Sequence, residues 1–267
     1  PYQNYGQFSG LSGDPFRSDP LGDAGIDGLA AFSGRGPTKD GRQAPHVVAP
    51  GTWILSTRSS QAQGRGWPSN SAVDSDQYYV YIGGTSSSAP LVTGAASLVR
   101  QAYQSRGHTP SAALVKATLV QSATDIPGQY GGPFAEAGPI PNYAEGWGAI
   151  NVERAIAPAG RYIDQTTALR TSEAATYTYP GRSSSGPVKV TLVWTDYPAA
   201  LEAAAQLVND LDLEVTAPDG TLYRGNVFAG GRSATGGSAD RLNNVECVYL
   251  PSAQVGDYRV TVRGHNV

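Results

Sequence analysis

The sequence predicts a mixed α/β unit followed by an all-β unit of two packed antiparallel sheets, and three observations carry that expectation. Between residues 85 and 122 the apolar positions follow a helical period: Leu91, Val92, Ala95, Ala96, Val99, Ala102 and Tyr103 recur three and four apart. Past about Arg161 the rhythm changes to short runs of period two, at Thr176 to Tyr179, Val188 to Trp194, Leu211 to Thr216, Val245 to Leu250 and Tyr258 to Val262. A chain of 267 residues with 40% hydrophobic content is long enough to bury two cores. The change of rhythm puts the boundary near Gly160, giving domains 1–160 and 161–267.

In chain order, residues 1 to about 28 lack periodicity and read as irregular loop. Ala30 to Ser33 lead into a turn-rich stretch, Gly34 to Arg42, that ends in Asp40-Gly41 before the run Val47-Val48-Ala49-Pro50-Gly51. The aromatic and β-branched run Tyr78 to Ile82 predicts a strand, and Gly83-Gly84 places Ser86 where that strand stops and a helix begins. The first helix is expected to be buried, with Gly94 and Ala95 allowing close packing. Arg106-Gly107-His108 ends it, Thr109 caps the next helix with Pro110 at its first position, and Ala113, Leu114, Ala117 and Val120 form the apolar face. In the second domain Val188, Val190, Leu192 and Trp194 alternate with Lys189, Thr191 and Val193, and Pro218-Asp219-Gly220 turns the chain between strands.

Gly83 to Gly94 has two readings. It is either a strand-to-helix loop with a serine cap and a nearby proline, or a nucleophile turn whose free helical N–H groups stabilise an oxyanion. The pattern Gly84-Thr85-Ser86, with Pro90 and Gly94 following, resembles the nucleophile motif of subtilisin-like serine proteases. Phe32-Ser33-Gly34-Arg35-Gly36-Pro37 and Val47-Val48-Ala49-Pro50-Gly51 resemble the same family's segments at this distance before the serine, with departures at Gly34 and His46. Gly146-Trp147-Gly148-Ala149-Ile150-Asn151, followed by Ala155-Ile156, is similar to the last strand and closing helix of subtilase catalytic domains. The β region resembles the C-terminal jelly-roll domain of some extracellular subtilases, which usually adds another strand, so an unpaired sheet edge is expected at the end of the chain.

The resemblance implies a secreted endopeptidase acting on polypeptides, in which Ser86 attacks the scissile carbonyl and Thr85 adds a hydroxyl contact to the oxyanion. A histidine, an aspartate and an oxyanion asparagine complete the machinery. In the family these precede the serine, yet no Asp-Ser/Thr-Gly or His-Gly-Thr motif stands before Ser86 here. The expected partner is therefore the missing N-terminal half of the catalytic domain, and the chain alone is expected to be inactive. His46 replaces a structural aspartate of the family and reads as a surface or packing residue; His108 and His265 fit no catalytic motif. Ser87 stands where many subtilases carry an oxidisable methionine.

Net charge −3 gives no electrostatic footprint for nucleic acid, and no apolar run is long enough for a membrane helix. The single cysteine, Cys247, excludes an intrachain disulfide and reads as a small buried residue. The absence of methionine suggests a processed product or a fragment. Asn209, Asp210 and Asp212 on one run, Asp240, Asn243, Asn244 and Glu246 on another, and Asp196 beyond Trp194 supply the hard oxygen donors that suit a structural Ca²⁺. Asp196, Asp210, Asp212, Asn244 and Glu246 are the expected ligands, and jelly-roll subtilases do bind calcium. Two further readings stay open: a non-catalytic, calcium-dependent module that binds a polymer or cell surface, and a folding partner that needs its other half.

Overall fold

The computed structural model describes residues 28–30, 32–52, 54–62, 66, 78–126, 138–157, 160–182 and 186–267. The irregular N-terminal stretch expected from the sequence lies almost entirely outside the described residues. Two compact units form: one contains residues 1–36, 44–98 and 123–152, the other 37–43, 99–122 and 153–267. No helix among the described residues is long and apolar enough to cross a membrane.

In the first unit, β1 (Ile54–Thr57) pairs antiparallel with β2 (Tyr79–Ile82), matching Ile54 to Ile82 and Thr57 to Tyr79. Helix α1 (Thr85–Gln104) follows β2 after two glycines. Separately, Val48 bridges Ala149 in parallel and Thr124 bridges the same residue antiparallel, so three distant segments meet at one position. Leu29, Val48, Ile126 and Ala144 form the small core beside this junction. Gly146 sits at φ +66°, and a Cβ there would collide with the Pro45 and His46 carbonyls, so only glycine admits this approach. The next residue then donates its N–H to the His46 carbonyl at 2.9 Å.

Glu145, on the same loop, is fully buried. Its carboxylate accepts the Ile126 N–H (3.1 Å) and the Asn142 side-chain amide (3.0 Å). Burial nevertheless lifts its pKa from the ordinary 4.5 to about 7, with Asp125 pushing the same way.

Helix α1 ends as the sequence predicts. His108 N–H reaches the Tyr103 carbonyl (3.1 Å), Gly107 N–H reaches that of Gln104 (2.9 Å), and Gly107 takes φ +81°. Helix α2 (Ala112–Ser122) starts later than expected: its cap is Ser111, whose Oγ accepts the Leu114 N–H at 3.0 Å, so Thr109 and Pro110 stand outside the helix. A short α3 (Val152–Ile156) follows.

The second unit holds two antiparallel sheets. One has the order β3 (Ala174–Arg182), β9 (Gly256–Asn266), β5 (Asp210–Thr216), β6 (Leu222–Ala229), β7 (Arg232–Thr235); the other pairs β4 (Gly186–Val193) with β8 (Val245–Ala253). Period two explains the core: Leu213, Val215 and Ala217 from one sheet meet Val248, Leu250 and Ala253 from the other, with Val188, Val190 and Leu192 packed against them. The five runs predicted from alternation are β3, β4, β5, β8 and β9. The last strand, β9, lies between β3 and β5, and the edges of its sheet are β3 and β7. Strands β6 and β7 were not anticipated, since Gly225 and a left-handed Asn226 (φ 58°) interrupt the alternation of β6. Helix α2 packs against β4: the Lys189 ammonium donates to the Val120 carbonyl (2.7 Å) and Gln121 Nε2 to the Lys189 carbonyl (2.9 Å). Cys247 is fully buried beside Thr191, and burial pushes its thiol up to about 11, so it stays protonated.

Because the folded-state pKa of Glu145 is raised, its neutral form stabilises the fold fully below about pH 4.5, and that contribution is lost as pH climbs through 7. Urea unfolding should therefore show stability falling between pH 5 and 8, by at most about 1.4 kcal/mol per pH unit from this group. Glu145→Gln should flatten that part of the slope; an unchanged slope would contradict the assignment.

Candidate active site

Ser86 is the second residue of α1 and is exposed, as is Thr85 before it, whereas Ser87 and Ser88 are buried. The polarity of this turn follows from two anchors. The Gly84 N–H donates to the Gly51 carbonyl (2.7 Å), and the Ser88 hydroxyl donates to the Pro50 carbonyl (3.0 Å). Ser87 and Ser88 thereby face the Val-Ala-Pro-Gly segment while Thr85 and Ser86 are turned outward. Gly84 has φ +121°, and a Cβ there would lie 3.3 Å from Ser86 Oγ. A side chain at position 84 would therefore be strained and would crowd the hydroxyl.

Pro90 lies inside α1 rather than at its first position. Lacking an N–H, it cannot donate to the carbonyl four residues back, which is that of Ser86. The Ser86 carbonyl thus lacks its usual helical donor, and the anchors to Pro50 and Gly51 add to what holds this turn. At the same end the Thr85 and Ser86 N–H groups have no helical carbonyl behind them, so they are available to a negative oxygen at the helix start.

Helix α1 is less buried than its sequence suggests. Ala95, Val99 and Tyr103 are buried, but Leu91 is 39% and Leu98 48% exposed, and a Cβ on Gly94 would meet nothing within 4 Å. The exposed positions Pro90, Leu91, Gly94 and Leu98 form a stripe at helical spacing that begins one turn beyond Ser86. Among the described residues nothing lies against Gly94, so the close packing expected there is not seen among them.

The three histidines lie on three separate segments. The His46 carbonyl accepts the Trp147 N–H. His108 Nε2 is 2.9 Å from Asp164 Oδ2, beside the rings of Tyr103 and Tyr162. His265 is exposed on β9. Arg35, in the Arg-Gly-Pro segment, donates to the carbonyls of Ala30 and Ser33, a structural clamp on its own turn.

Each of the five residues expected to ligate calcium has a hydrogen-bond partner within the chain. Asp196 accepts N–H groups of Tyr197, Val208 and Asn209 and the Asn209 amide, all at 2.8–2.9 Å. Burial pushes its pKa up, but these donors outweigh it and hold the carboxyl below its ordinary value. Asp210 and Asp212 both bind the Arg241 guanidinium. Asn244 Nδ2 donates to the Trp194 carbonyl (3.0 Å). Glu246 is 1% exposed; Oε2 accepts the Leu213 N–H at 2.8 Å, Oε1 has no hydrogen-bond partner among the described residues, and burial pushes the pKa to about 9. Three of these carboxylates are already engaged by N–H donors or by a guanidinium. No three His, Cys, Asp or Glu side chains among the described residues cluster as a metal site. Sequence reasoning passed over Arg241, although it stands inside the run Asp240 to Glu246.

A short strand, a glycine turn and a helix whose first turn exposes the Ser86 hydroxyl beside N–H groups with no helical carbonyl behind them put a hydroxyl next to donors that a negative oxygen can use. Residues 24–148 match the model of the subtilase family. Across 266 aligned residues it is 33% identical to the serine protease/ABC transporter B family protein tagA of Dictyostelium discoideum, covering 88% of this chain and 14% of that protein. Identity to tagB of the same organism is 28% over 295 residues, covering 90% of this chain and 15% of that protein. Serine protease AprX of Bacillus subtilis (strain 168) is 40% identical over 75 residues, 28% of this chain and 16% of that protein. No more than 16% of any of these three relatives is matched.

Gly84→Ala should destabilise the chain by about 1 kcal/mol or more, because alanine cannot take this backbone conformation without strain. Chemical denaturation would show it; an unchanged midpoint would contradict the geometry of the turn.

Proposed function

We propose that this chain carries the nucleophile of a secreted, subtilisin-like serine endopeptidase, with residues 1–160 as the later part of its catalytic domain and 161–267 as a jelly-roll domain. The observation that carries the proposal is Ser86 itself, exposed on the first turn of α1 by anchors to Pro50 and Gly51. In the reaction, Ser86 Oγ attacks the scissile carbonyl of a polypeptide while a histidine accepts its proton. An aspartate orients that histidine, and the Ser86 N–H with an asparagine amide receives the developing oxyanion. Thr85 lies beside that oxygen's place and adds a hydroxyl.

The histidine, aspartate and asparagine come from polypeptide outside these 267 residues. The exposed stripe of Pro90, Leu91, Gly94 and Leu98 supports this reading, because an apolar face starting beside the nucleophile suits coverage by the rest of the catalytic domain. The triad acts as a unit, and in subtilisin loss of the base lowers turnover on the order of 10⁶-fold. The reading assigns calcium no step in catalysis. Secretion and a polypeptide substrate are carried by the resemblance of the serine, Arg-Gly-Pro and Val-Ala-Pro-Gly segments.

Co-expression with a subtilase segment bearing the Asp and His-Gly-Thr motifs should yield a complex that hydrolyses a denatured protein substrate, while either part alone does not. Ser86→Ala should abolish the activity without preventing assembly. Enzyme-like hydrolysis by the chain alone, or activity surviving Ser86→Ala, would contradict the proposal. With serine at position 87, the assembled enzyme should also keep its activity in peroxide concentrations that oxidise methionine. Rapid inactivation there would count against the role given to that position.

A further inference from the structure

Asp210 and Asp212 are two apart on β5, so their carboxylates stand on one side of an extended strand, each largely covered. Two covered carboxylates on one side repel, and the arrangement needs a positive charge. Arg241 supplies it. Its Nη1 donates to Asp210 Oδ1 (3.0 Å), to Asp212 Oδ1 and to the Asp240 carbonyl (3.1 Å), and its Nη2 donates to Asp212 Oδ2 at 3.3 Å. Asp212 is thus gripped by both arms of the guanidinium fork, a geometry a lysine cannot reproduce.

The loop that delivers Arg241 is built for the purpose. Asp240 accepts the Leu242 and Asn243 N–H groups and the side-chain amides of Asn243 and Asn226, all within 3.1 Å. Asn243 Oδ1 in turn accepts the Gln43 N–H at 2.7 Å, tying the 37–43 turn to the same loop. Both Asp212 oxygens and Asp210 Oδ1 already receive guanidinium N–H bonds, and a guanidinium beside them repels a divalent cation.

We infer that Arg241 is the resident cation of the β5 carboxylate pair, filling the place a calcium ion would take, so that this cluster is held without divalent metal. The inference concerns stability and stands apart from the proteolytic reading.

Thermal unfolding of the full chain in EDTA and in millimolar calcium tests it, alongside Arg241→Ala and Arg241→Ala/Asp212→Asn. Wild-type melting temperature should not change through this cluster between the two conditions. Arg241→Ala should melt lower by about 3 °C or more. Calcium should restore that loss, and Asp212→Asn in the same chain should abolish the restoration. A calcium-dependent shift in wild type that Asp212→Asn removes would overturn the inference. So would an Arg241→Ala chain as stable as wild type, or one whose loss calcium does not restore. If Arg241→Ala does not fold in either condition, adding Asp210→Asn and Asp212→Asn should recover a cooperative melt, since no charge then needs neutralising. Persistent failure of that triple variant would overturn the inference as well.

Discussion

The carbonyls of Pro50 and Gly51 each accept a hydrogen bond from the segment that carries Ser86, and the candidate site depends on those two contacts. The Gly84 N–H fixes the turn, and the Ser88 hydroxyl fixes which side of α1 faces inward. Pro90 removes the helical donor that would otherwise hold the Ser86 carbonyl, so the first turn takes its position from the Pro50–Gly51 segment. That segment is itself held upstream: Val48 donates to Gly148 and accepts from Ile150, while Ala149 exchanges both backbone bonds with Thr124. Three stretches far apart in sequence thereby converge to place one hydroxyl.

Buried charge in the second unit is handled internally. Asp196 is satisfied by a ring of N–H donors that closes the loop between Trp194 and Asn209. Asp210 and Asp212 share one guanidinium, and Glu246 escapes the cost of a buried charge by keeping its proton. Each is a different answer to the same electrostatic problem. A count of acidic residues along the chain cannot tell these answers apart, because it sees ligand types and not the donors already bound to them.

Period-two alternation made β3, β4, β5, β8 and β9 legible, and the Gly-Thr-Ser pattern located the turn between β2 and α1 that exposes Ser86. Strands β6 and β7 were hidden by Gly225 and Asn226, yet Gly230-Gly231 was a readable signal. Both glycines have positive φ (58° and 76°), and Ala229 pairs with Arg232 across them as in a two-residue hairpin. The cap of α2 was misplaced because Thr109-Pro110 is as good a local start as Ser111. Only the Leu114 N–H bond distinguishes them. The exposed stripe on α1 was illegible for a different reason: helical periodicity reports which face is apolar, and says nothing about what covers it.

Ser86 is proposed to be an activated nucleophile once a base is supplied. A fluorophosphonate probe, with its adduct mapped by mass spectrometry, tests this on the chain alone and on the chain assembled with a segment bearing the Asp and His-Gly-Thr motifs. The account predicts an adduct on Ser86 in the assembled protein and none at comparable rate in the chain alone. An adduct on another residue, or equal labelling of Ser86 in both states, would contradict it.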